Sequence, residues 1–285
     1  MPAESWTLTN SAEMDEEQFH LWQALLEDRT GMQMPTQRKR FLETSISMRM
    51  REIGCEAYDQ YYEQLVSGPN GPVEWITLVD RLTVQETRFF RHPSSYQLVF
   101  DYCRERMSKM DQSSFNIWSV GCATGEETYS LGMQIDEAFA GSFMKTYFGI
   151  TGTDISLPAL SKARKGIYSL SKIDGVSDER REKFFTEISP GQFQVKEELR
   201  ERICFASINV QDLGAAPLHD LDIIFCQNLL IYFRRWRKRQ IVNNLAERLK
   251  PGGLMVLGVG EFVENIPPEL EKLDVNNTLA FTRRA

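Results

Sequence analysis

The sequence predicts an α/β fold, in which a Rossmann-like, mostly parallel β-sheet is covered by helices and preceded by a helical N-terminal domain. Apolar residues recur at helical spacing through the N-terminal part of the chain. From residue 115 onward, apolar strand patterns alternate with helical patterns, and a glycine-containing turn follows the first strand. We expect a helical domain over residues 1–90, a linker and first helix over 91–114, and an α/β domain over 115–285.

Four amphipathic helices are predicted in the N-terminal domain. The first two are each followed by a glycine, Gly31 and Gly54, a residue that readily adopts the left-handed conformation of a helix C-cap. The predicted helices lie at about residues 19–30, 36–53, 58–65 and 73–82.

The second of these helices carries regularly spaced arginines. Arg38 and Arg49 are eleven residues apart, as are Arg40 and Arg51, which is close to three helical turns. Two basic rows therefore follow this helix. Such rows are typical of a solvated face, and they also suit an acidic docking partner, so the pattern leaves both interpretations open.

The α/β domain is predicted from alternating strands and helices. Strands are expected at residues 116–120, 147–153, 203–208, 221–226, 254–259 and 278–282, with helices at 128–139, 157–165 and 234–249. Residues 193–195 alternate in polarity after Ser189-Pro190-Gly191, which predicts a small antiparallel β insertion at about residues 167–202.

Composition excludes several classes of protein. The 285 residues carry a formal net charge of −7, and the pI is about 5.2, which disfavours a general nucleic-acid-binding surface. Five cysteines without a Cys-x-x-Cys pair, together with three separated histidines, predict neither a metal site nor a disulfide framework. The acidic first residues lack a targeting pattern, and the apolar runs are too short to cross a bilayer, so a cytoplasmic location is expected.

The turn after the first predicted strand indicates a bound cofactor. Gly121, Ala123 and Glu126 occupy the places where a dinucleotide fingerprint has three glycines. A glutamate facing the cofactor repels a pyrophosphate but suits a ligand that carries an ammonium and a sulfonium group. This contrast favours S-adenosylmethionine over NAD, although a glycine turn alone is also compatible with an ordinary strand-to-helix connection.

Polar residues at three further strand ends agree with this interpretation. Asp154 follows the second strand, where a carboxylate can accept hydrogen bonds from both ribose hydroxyls. Asn209 and Asn228 follow the third and fourth, and Val210 and Leu229 beside them offer apolar walls to an adenine ring. Each residue taken singly is more often a turn residue, so the prediction depends on their occurring together.

Nearly the whole chain resembles the CheR family of chemoreceptor methyltransferases. The resemblance rests on the sequences TRFFR (87–91), TGEETYS (124–130), GTDI (152–155), IFCQNLLIYF (224–233) and LKPGG (249–253). It implies a class I S-adenosylmethionine methyltransferase fold with a helical N-terminal domain and a small antiparallel β insertion. The implied cofactor is S-adenosylmethionine, which leaves as S-adenosylhomocysteine.

The same resemblance assigns roles to individual residues. Arg91 is implied to bind the methionine carboxylate, Glu127 its ammonium group and Asp154 the ribose. The remaining implied cofactor-binding residues are Gln85, Thr87, Asn209, Val210, Asn228 and Leu229. Arg38, Arg49 and Arg51 are predicted to dock the substrate protein.

The implied reaction is O-methylation of glutamate side chains in the cytoplasmic helical bundle of a chemoreceptor. A glutamate carboxylate is already ionised at neutral pH, so in-line attack needs no general base. Positioning in a dry pocket can remove roughly 7–11 kcal/mol of the barrier. Arg91 and Tyr232 are the predicted catalytic residues, Tyr232 through a hydrogen bond to the acceptor oxygen, with a core aromatic role as its alternative. We expect a monomer that binds no nucleic acid and does not insert into membranes.

Some positions depart from the family pattern. Gln85, Thr128 and Gly260 replace an asparagine, a proline and a serine, and Ser45 stands where relatives often have arginine. The hairpin at residues 190–191 is short, which puts docking of a receptor's tether peptide in doubt. These departures suggest a chemosensory system other than the flagellar one, such as the pilus-linked PilK type that serves twitching motility.

Three other functions are compatible with only part of the sequence. A non-catalytic protein that binds S-adenosylmethionine as a sensor or scaffold is compatible with the same cofactor-binding residues. A methyltransferase for small molecules or nucleic acid is disfavoured by the acidic pI and by the lack of an Asn/Asp-Pro-Pro-Tyr sequence. The glycine spacing argues against an NAD-dependent oxidoreductase.

Overall fold

A computed structural model describes residues 13–83, 85–109, 114–141, 146–261 and 265–284. The chain divides into two compact units, residues 1–83 and 84–285. This division lies slightly N-terminal to the boundary expected at residue 90. It places the TRFFR segment in the second unit.

The first unit is helical, as predicted. It contains α1 (Glu16–Thr30), a 3-10 turn (Thr36–Arg38), α2 (Lys39–Ile53), α3 (Tyr58–Ser67) and α4 (Gly71–Leu82). Asp15 caps α1 by accepting a hydrogen bond from the Gln18 backbone amide. Gly31 and Gly54 end α1 and α2 in the left-handed conformation, with φ of 73° and 72°, as the sequence predicts.

The second unit is an α/β domain. Its helices are α5 (Pro93–Ser108), α6 (Glu126–Phe139), α7 (Leu157–Lys165), α8 (Leu170–Ile173), α9 (Asp178–Phe184), α10 (Glu197–Arg200) and α11 (Arg235–Ala246). Its strands are β1 (Ser114–Val120), β2 (Tyr147–Asp154), β3 (Ile167–Ser169), β4 (Phe185–Ser189), β5 (Gln192–Val195), β6 (Ile203–Ser207), β7 (Leu221–Cys226), β8 (Leu249–Leu257), β9 (Leu270–Lys272) and β10 (Leu279–Arg283).

The main sheet has seven strands in the order β6-β2-β1-β7-β8-β10-β9. The five strands from β6 to β8 are parallel, whereas β10 is antiparallel to both of its neighbours. Val120 pairs with Thr153, and Asp154 pairs with Ser207. The carboxyl ends of β1, β2, β6 and β7 therefore meet at one edge of the sheet, where open α/β sheets bind their ligands.

The small antiparallel insertion is confirmed. Strands β3, β5 and β4 form a separate sheet in that order. The Tyr168 hydroxyl donates to the Thr124 carbonyl oxygen at 2.8 Å, which ties this sheet to the turn after β1. Phe89 packs edge-on against Tyr168 and Phe185, with ring centroids 5.0 and 5.6 Å away. The insertion therefore supports two segments of the ligand-binding edge.

The LKPGG segment differs from its predicted form. We expected a turn before a strand at residue 254, but β8 begins at Leu249 and the pairing register shifts between Leu221 and Ile223. A side chain at Gly253 would place its Cβ 2.9 Å from the Lys250 carbonyl oxygen and 3.0 Å from that of Leu221. Glycine therefore allows the irregular strand to approach neighbouring backbone closely.

None of the helices in the described parts of the chain combines the length and apolar character needed to cross a membrane.

Candidate functional site

A polar cleft lies at the carboxyl edge of the main sheet. Two arginines and two glutamates contribute to its wall, beside backbone and aromatic groups. Its lining residues are Glu86, Thr87, Arg88, Arg91, Tyr96, Gly121, Ala123, Glu127, Gln227, Asn228, Ile231 and Tyr232.

The turn after β1 brings backbone into the wall of this cleft. Gly121 and Ala123 have φ of 75° and 46°, and the amides of Gly121 and Cys122 both donate to the Thr153 carbonyl oxygen, at 2.8 and 2.9 Å. A Cβ on Gly121 would lie 3.1 Å from both Leu229 methyl carbons. Any side chain at position 121 would crowd the Leu229 methyl groups, so glycine keeps this apolar surface beside the cleft.

Glu127 is the acidic residue that faces the cleft from α6. Ser119 donates its hydroxyl hydrogen to Glu127 Oε1 at 2.8 Å, and Thr128 donates to Ser119 at 3.0 Å. Burial raises the pKa of the Glu127 carboxyl well above its usual range, while the Ser119 hydrogen bond favours the ionised form. Glu261 and Asp154 also raise this pKa, and Arg91 lowers it. A carboxylate in these surroundings is well suited to a cationic ligand group.

Glu126 does not face the cleft, which corrects the interpretation of the glycine turn. Its side chain is only 1% exposed, accepts a hydrogen bond from Thr124 at 2.6 Å and lies 3.5 Å from Lys172 Nζ. α6 begins at Glu126 after the left-handed Gly125. Because successive helical residues point about 100° apart, the start of this helix directs Glu127 and not Glu126 to the ligand.

The TRFFR segment supplies the positive charge of the site. Phe89 is buried, and Phe90 adopts a left-handed backbone conformation with φ of 51°. The Phe90 amide donates to Ser130 Oγ at 3.0 Å, which holds this uncommon conformation. Arg88 and Arg91 line the cleft on either side of the two phenylalanines, and Arg91 Nη1 donates to the Glu86 carbonyl oxygen at 2.9 Å.

Asp154 organises the edge of the sheet through backbone contacts. Its Oδ2 accepts from the Ala123 amide and its Oδ1 from the Ser156 amide, both at 2.9 Å. Ser156 in turn caps α7 by accepting from the Ala159 amide at 3.1 Å. The Asp154 carboxylate therefore connects the ends of β1 and β2.

The turn after β7 forms another part of the cleft wall. Asn228 has φ of 59°, and its amide nitrogen lies 3.3 Å from His92 Nε2. Burial lowers the pKa of His92, and the nearby Arg91 and Arg88 act in the same direction, whereas the hydrogen bond with Asn228 raises it. Which of the two side chains donates depends on the imidazole tautomer.

Glu261 holds this turn from behind. Its Oε2 accepts from the Gly258 amide at 2.8 Å and its Oε1 from the Ile231 amide at 3.3 Å. Burial raises the pKa of Glu261, whereas hydrogen bonds from backbone amides that include those of Leu230 and Asn228 favour its ionised form. The buried carboxylate thereby fixes a turn whose other side faces the cleft.

The structure brings five of the predicted site residues to the wall of one cleft, namely Thr87, Arg91, Glu127, Asn228 and Tyr232. Leu229 lies beside it against Gly121. Gln85 donates to Ser156 Oγ at 3.3 Å. Asn209 and Val210 follow β6 at the same edge, where Asn209 Oδ1 accepts from the Gln211 amide at 3.2 Å.

The predicted docking arginines belong to the helical unit. Arg49 makes two hydrogen bonds to Glu74, at 2.8 and 2.7 Å, and one to Glu52 at 3.0 Å. Tyr61 donates to the same Glu74 at 2.6 Å. The Glu74 hydrogen bonds raise the pKa of Arg49. Arg49 therefore stabilises the packing of α2 on α4, whereas Arg51 is exposed and Arg38 stacks on Phe41. Receptor docking by these three residues stays a prediction.

Sequence reasoning missed several residues of the site. Arg88 and Gln227 lie within recognised motifs but were given no role, and Ser119, Thr128 and Glu261 act through neighbours that are distant in sequence. Spacing alone contains no signal for such hydrogen bonds. Among the described residues, no cluster of three or more His, Cys, Asp or Glu side chains is arranged to hold a metal ion.

Comparisons with known proteins agree with this geometry. Residues 85–279 match the family model described as CheR methyltransferase, SAM binding domain, and residues 17–83 match the one described as CheR methyltransferase, all-alpha domain.

Individual relatives span most of the chain. It is 31% identical over 258 residues to chemotaxis protein methyltransferase 1 of Pseudomonas aeruginosa, covering 87% of this chain and 91% of that one. It is 27% identical over 248 residues to the chemotaxis protein methyltransferase of Salmonella typhimurium, covering 86% and 83%. A probable biofilm formation methyltransferase, WspC of Pseudomonas aeruginosa, is 30% identical over 245 residues, which cover 84% of this chain and 56% of WspC.

Proposed function

This chain belongs to the CheR family of S-adenosylmethionine-dependent methyltransferases, and we propose that it esterifies glutamate side chains on the cytoplasmic helical bundle of a chemoreceptor. The observation that carries the proposal is the presence of Arg88, Arg91 and Glu127 in one cleft beside Tyr232. That combination suits an anionic acceptor together with a cationic methyl donor.

The residues of the cleft fit S-adenosylmethionine. Its amino-acid part carries an ammonium and a carboxylate, which Glu127 and Arg91 complement in charge. The ammonium offers the counter-charge that burial denies the Glu127 carboxylate, so binding stabilises a group that is unfavourable alone. Asp154, Asn209, Val210, Asn228 and Leu229 are assigned to the adenosine part, with Gln85 and Thr87 on the facing segment. When bound, the cofactor supplies an electrophilic methyl group on a sulfonium.

The chemistry required of the protein is placement. A glutamate carboxylate is ionised at neutral pH and needs no general base. Arg88 and Arg91 favour entry of that anion, and Tyr232 donates a hydrogen bond that fixes one of its oxygens. The buried aromatic rings around the TRFFR segment keep its two arginines in place. Orientation is then the largest contribution to the rate.

The test is transfer of radiolabelled methyl from S-adenosylmethionine to membranes that contain the organism's chemoreceptors. Label on a receptor band that is released by mild base, and lost with Arg91→Ala, supports glutamyl ester formation. Cofactor binding by calorimetry without label on any receptor band contradicts the proposal and favours a sensor or scaffold. Lys109→Ala serves as a control, because Lys109 pairs with Glu105 at the exposed end of α5.

The cellular setting is part of the same proposal. A soluble cytoplasmic monomer suits a receptor's cytoplasmic bundle, and light scattering of the purified chain tests the oligomeric state. The pilus-linked branch stays a prediction. Deleting the encoding gene and scoring twitching against swimming separates the two chemosensory systems.

A further inference from the structure

A dense cluster of positive charge marks the start of α11. Five of the six residues from 234 to 239, here called the basic segment, are cationic: Arg234, Arg235, Arg237, Lys238 and Arg239. The first turn of α11 contains no acidic residue. Cations at a helix N-terminus oppose the helix dipole, where carboxylates are favoured by about 0.3–1 kcal/mol each. Helix stability does not explain this segment.

The basic segment is on the surface, although the helix that it begins is firmly anchored. Ile241, Val242, Leu245 and Ala246 are buried against the domain. Trp236, by contrast, is 57% exposed, with the Arg237 guanidinium 4.2 Å from its ring centre. An exposed tryptophan among arginines is the composition of a protein-binding surface, because these two residue types dominate the energetics of interfaces.

The basic segment also lies next to the cleft along the chain. Ile231 and Tyr232 line the cleft, and Ile231 is 50% exposed. Arg235 follows Tyr232 by three residues, which span at most about 10 Å of extended chain. A protein that presents a side chain to Tyr232 therefore approaches within reach of the basic segment.

Electrostatics identify the kind of partner. The whole chain has a net charge of −7, so an acidic partner is repelled at long range, although Arg88 and Arg91 favour the acceptor carboxylate once it is within the cleft. A local cationic surface at the rim overcomes this and steers an acidic surface to the site. We propose that the basic segment docks the acidic helical surface that surrounds the acceptor glutamate, with Trp236 packing on its apolar part.

This inference rests on the proposed function, since the acceptor there is a glutamate on a helical bundle. Each methyl ester removes one negative charge from the docked surface, so the basic segment binds an unmethylated bundle more tightly than a fully esterified one. Product release is thereby favoured.

The variant that tests docking is Lys238→Glu/Arg239→Glu, which reverses two charges of the basic segment and leaves the cleft residues intact. Its matched control is Lys162→Glu/Lys165→Glu, two exposed cations of α7 in the same unit. We expect the KM for receptor-containing membranes to rise at least about tenfold at low salt in the test variant, with kcat at saturating receptor and the Kd for S-adenosylmethionine within about twofold of wild type. The difference should shrink as ionic strength rises.

A direct binding measurement separates docking from catalysis. Cosedimentation with receptor-containing membranes should be weakened in the test variant and unchanged in the control, even if the wild type labels no receptor and the proposed function fails. An unchanged KM and unchanged cosedimentation in the test variant, or an equal loss in the control, overturns the inference. Charge-dependent binding of the wild type to receptor-free anionic vesicles also overturns it, in favour of a lipid surface.

Discussion

Ser119 on β1 donates its hydroxyl hydrogen to the Glu127 carboxylate on α6 at 2.8 Å, and it receives one in turn from Thr128 at 3.0 Å. These two hydrogen bonds orient Glu127, the only carboxylate of α6 that lines the described cleft. Thr128 therefore adds a second hydroxyl to the support of the Glu127 carboxylate.

Removing that hydroxyl tests the support. Thr128→Val keeps the shape of the side chain but leaves the buried Ser119 oxygen without its donor, which costs about 1–3 kcal/mol of unfolding free energy. We expect a lower midpoint in urea and a several-fold higher Kd for S-adenosylmethionine. Thr128→Ser keeps the hydroxyl and should retain the wild-type Kd. Equal Kd values for S-adenosylmethionine in Thr128→Val and wild type would show that Ser119 alone orients Glu127.

Neutralising Glu127 should have opposite effects on stability and binding. Glu127→Gln removes the charge-assisted hydrogen bond that we propose between the Glu127 carboxylate and the ammonium group of S-adenosylmethionine. Such a bond contributes about 1.5–3 kcal/mol, so the Kd for S-adenosylmethionine should rise by roughly 10- to 100-fold. Calorimetry checks this. Glu126→Gln, a change of the neighbouring carboxylate that lies outside the cleft, is the matched control and should alter the Kd far less.

The stability effect of Glu127→Gln depends on pH. The folded state raises the pKa of Glu127, so above an unfolded value near 4.5 the native protein holds more protons than the unfolded chain, and the stability contributed by this group falls as pH rises. The glutamine variant without cofactor should therefore gain thermal stability over wild type between about pH 5 and about pH 8. A melting difference that does not change with pH contradicts this assignment.

Glu261 is expected to act on the cleft through the turn that it holds. Glu261→Gln replaces one accepting oxygen by a donor that faces backbone amides, which should cost about 1–3 kcal/mol of unfolding free energy. Because Asn228 and Tyr232 belong to that turn, both the Kd for S-adenosylmethionine and the KM for receptor should rise. Denaturation and steady-state kinetics measure the two effects. A stability loss with unchanged binding would limit Glu261 to a structural role.

Acid should destabilise the protein through His92. Burial lowers its pKa below the ordinary 6.5, so the neutral form is favoured in the fold, and the stability that it contributes is present above that value and lost as pH falls through the folded pKa. The protonated ring also meets the positive charges of Arg91 and Arg88, and its hydrogen bond with Asn228 offsets only part of that cost. His92→Gln should show a smaller loss of melting temperature between about pH 8 and about pH 5 than wild type.

Breaking the ion pair between Asp222 and Lys250 in the main sheet should lower the free energy of unfolding, although neither residue lines the cleft. Asp222 is 1% exposed in β7, and Lys250 Nζ donates to its two oxygens at 3.0 and 3.1 Å, while the Asn116 amide donates to Oδ2 at 2.7 Å. Lys250→Met leaves this carboxylate without its cation and should cost about 1–3 kcal/mol of unfolding free energy, because the lysine side chain is 35% exposed and the Asn116 amide still donates to the carboxylate. The double variant Lys250→Met/Asp222→Asn should recover part of that loss.

Much of the fold could be predicted because periodicity reflects which faces are buried. The glycines that end α1 and α2 and the bounds of α7 agree with the sequence reading, since capping and helical spacing are local. β8 was placed too late because Lys250 and the glycines beside it have little apolar character, although their backbone pairs within the sheet.

The sequence by itself determined the family, the order of the main helices and strands, and the carboxyl edge of the sheet as the side where a ligand binds. Tertiary structure decided that Glu127 and not Glu126 faces the cleft, because the left-handed Gly125 fixes where α6 begins and therefore which way each side chain points. It also decided that Arg49 stabilises its own helical unit and that Glu261 fixes the turn before Tyr232. Hydrogen bonds and ion pairs depend on distances of about 3 Å between atoms far apart in the chain, and residue spacing contains no record of those distances.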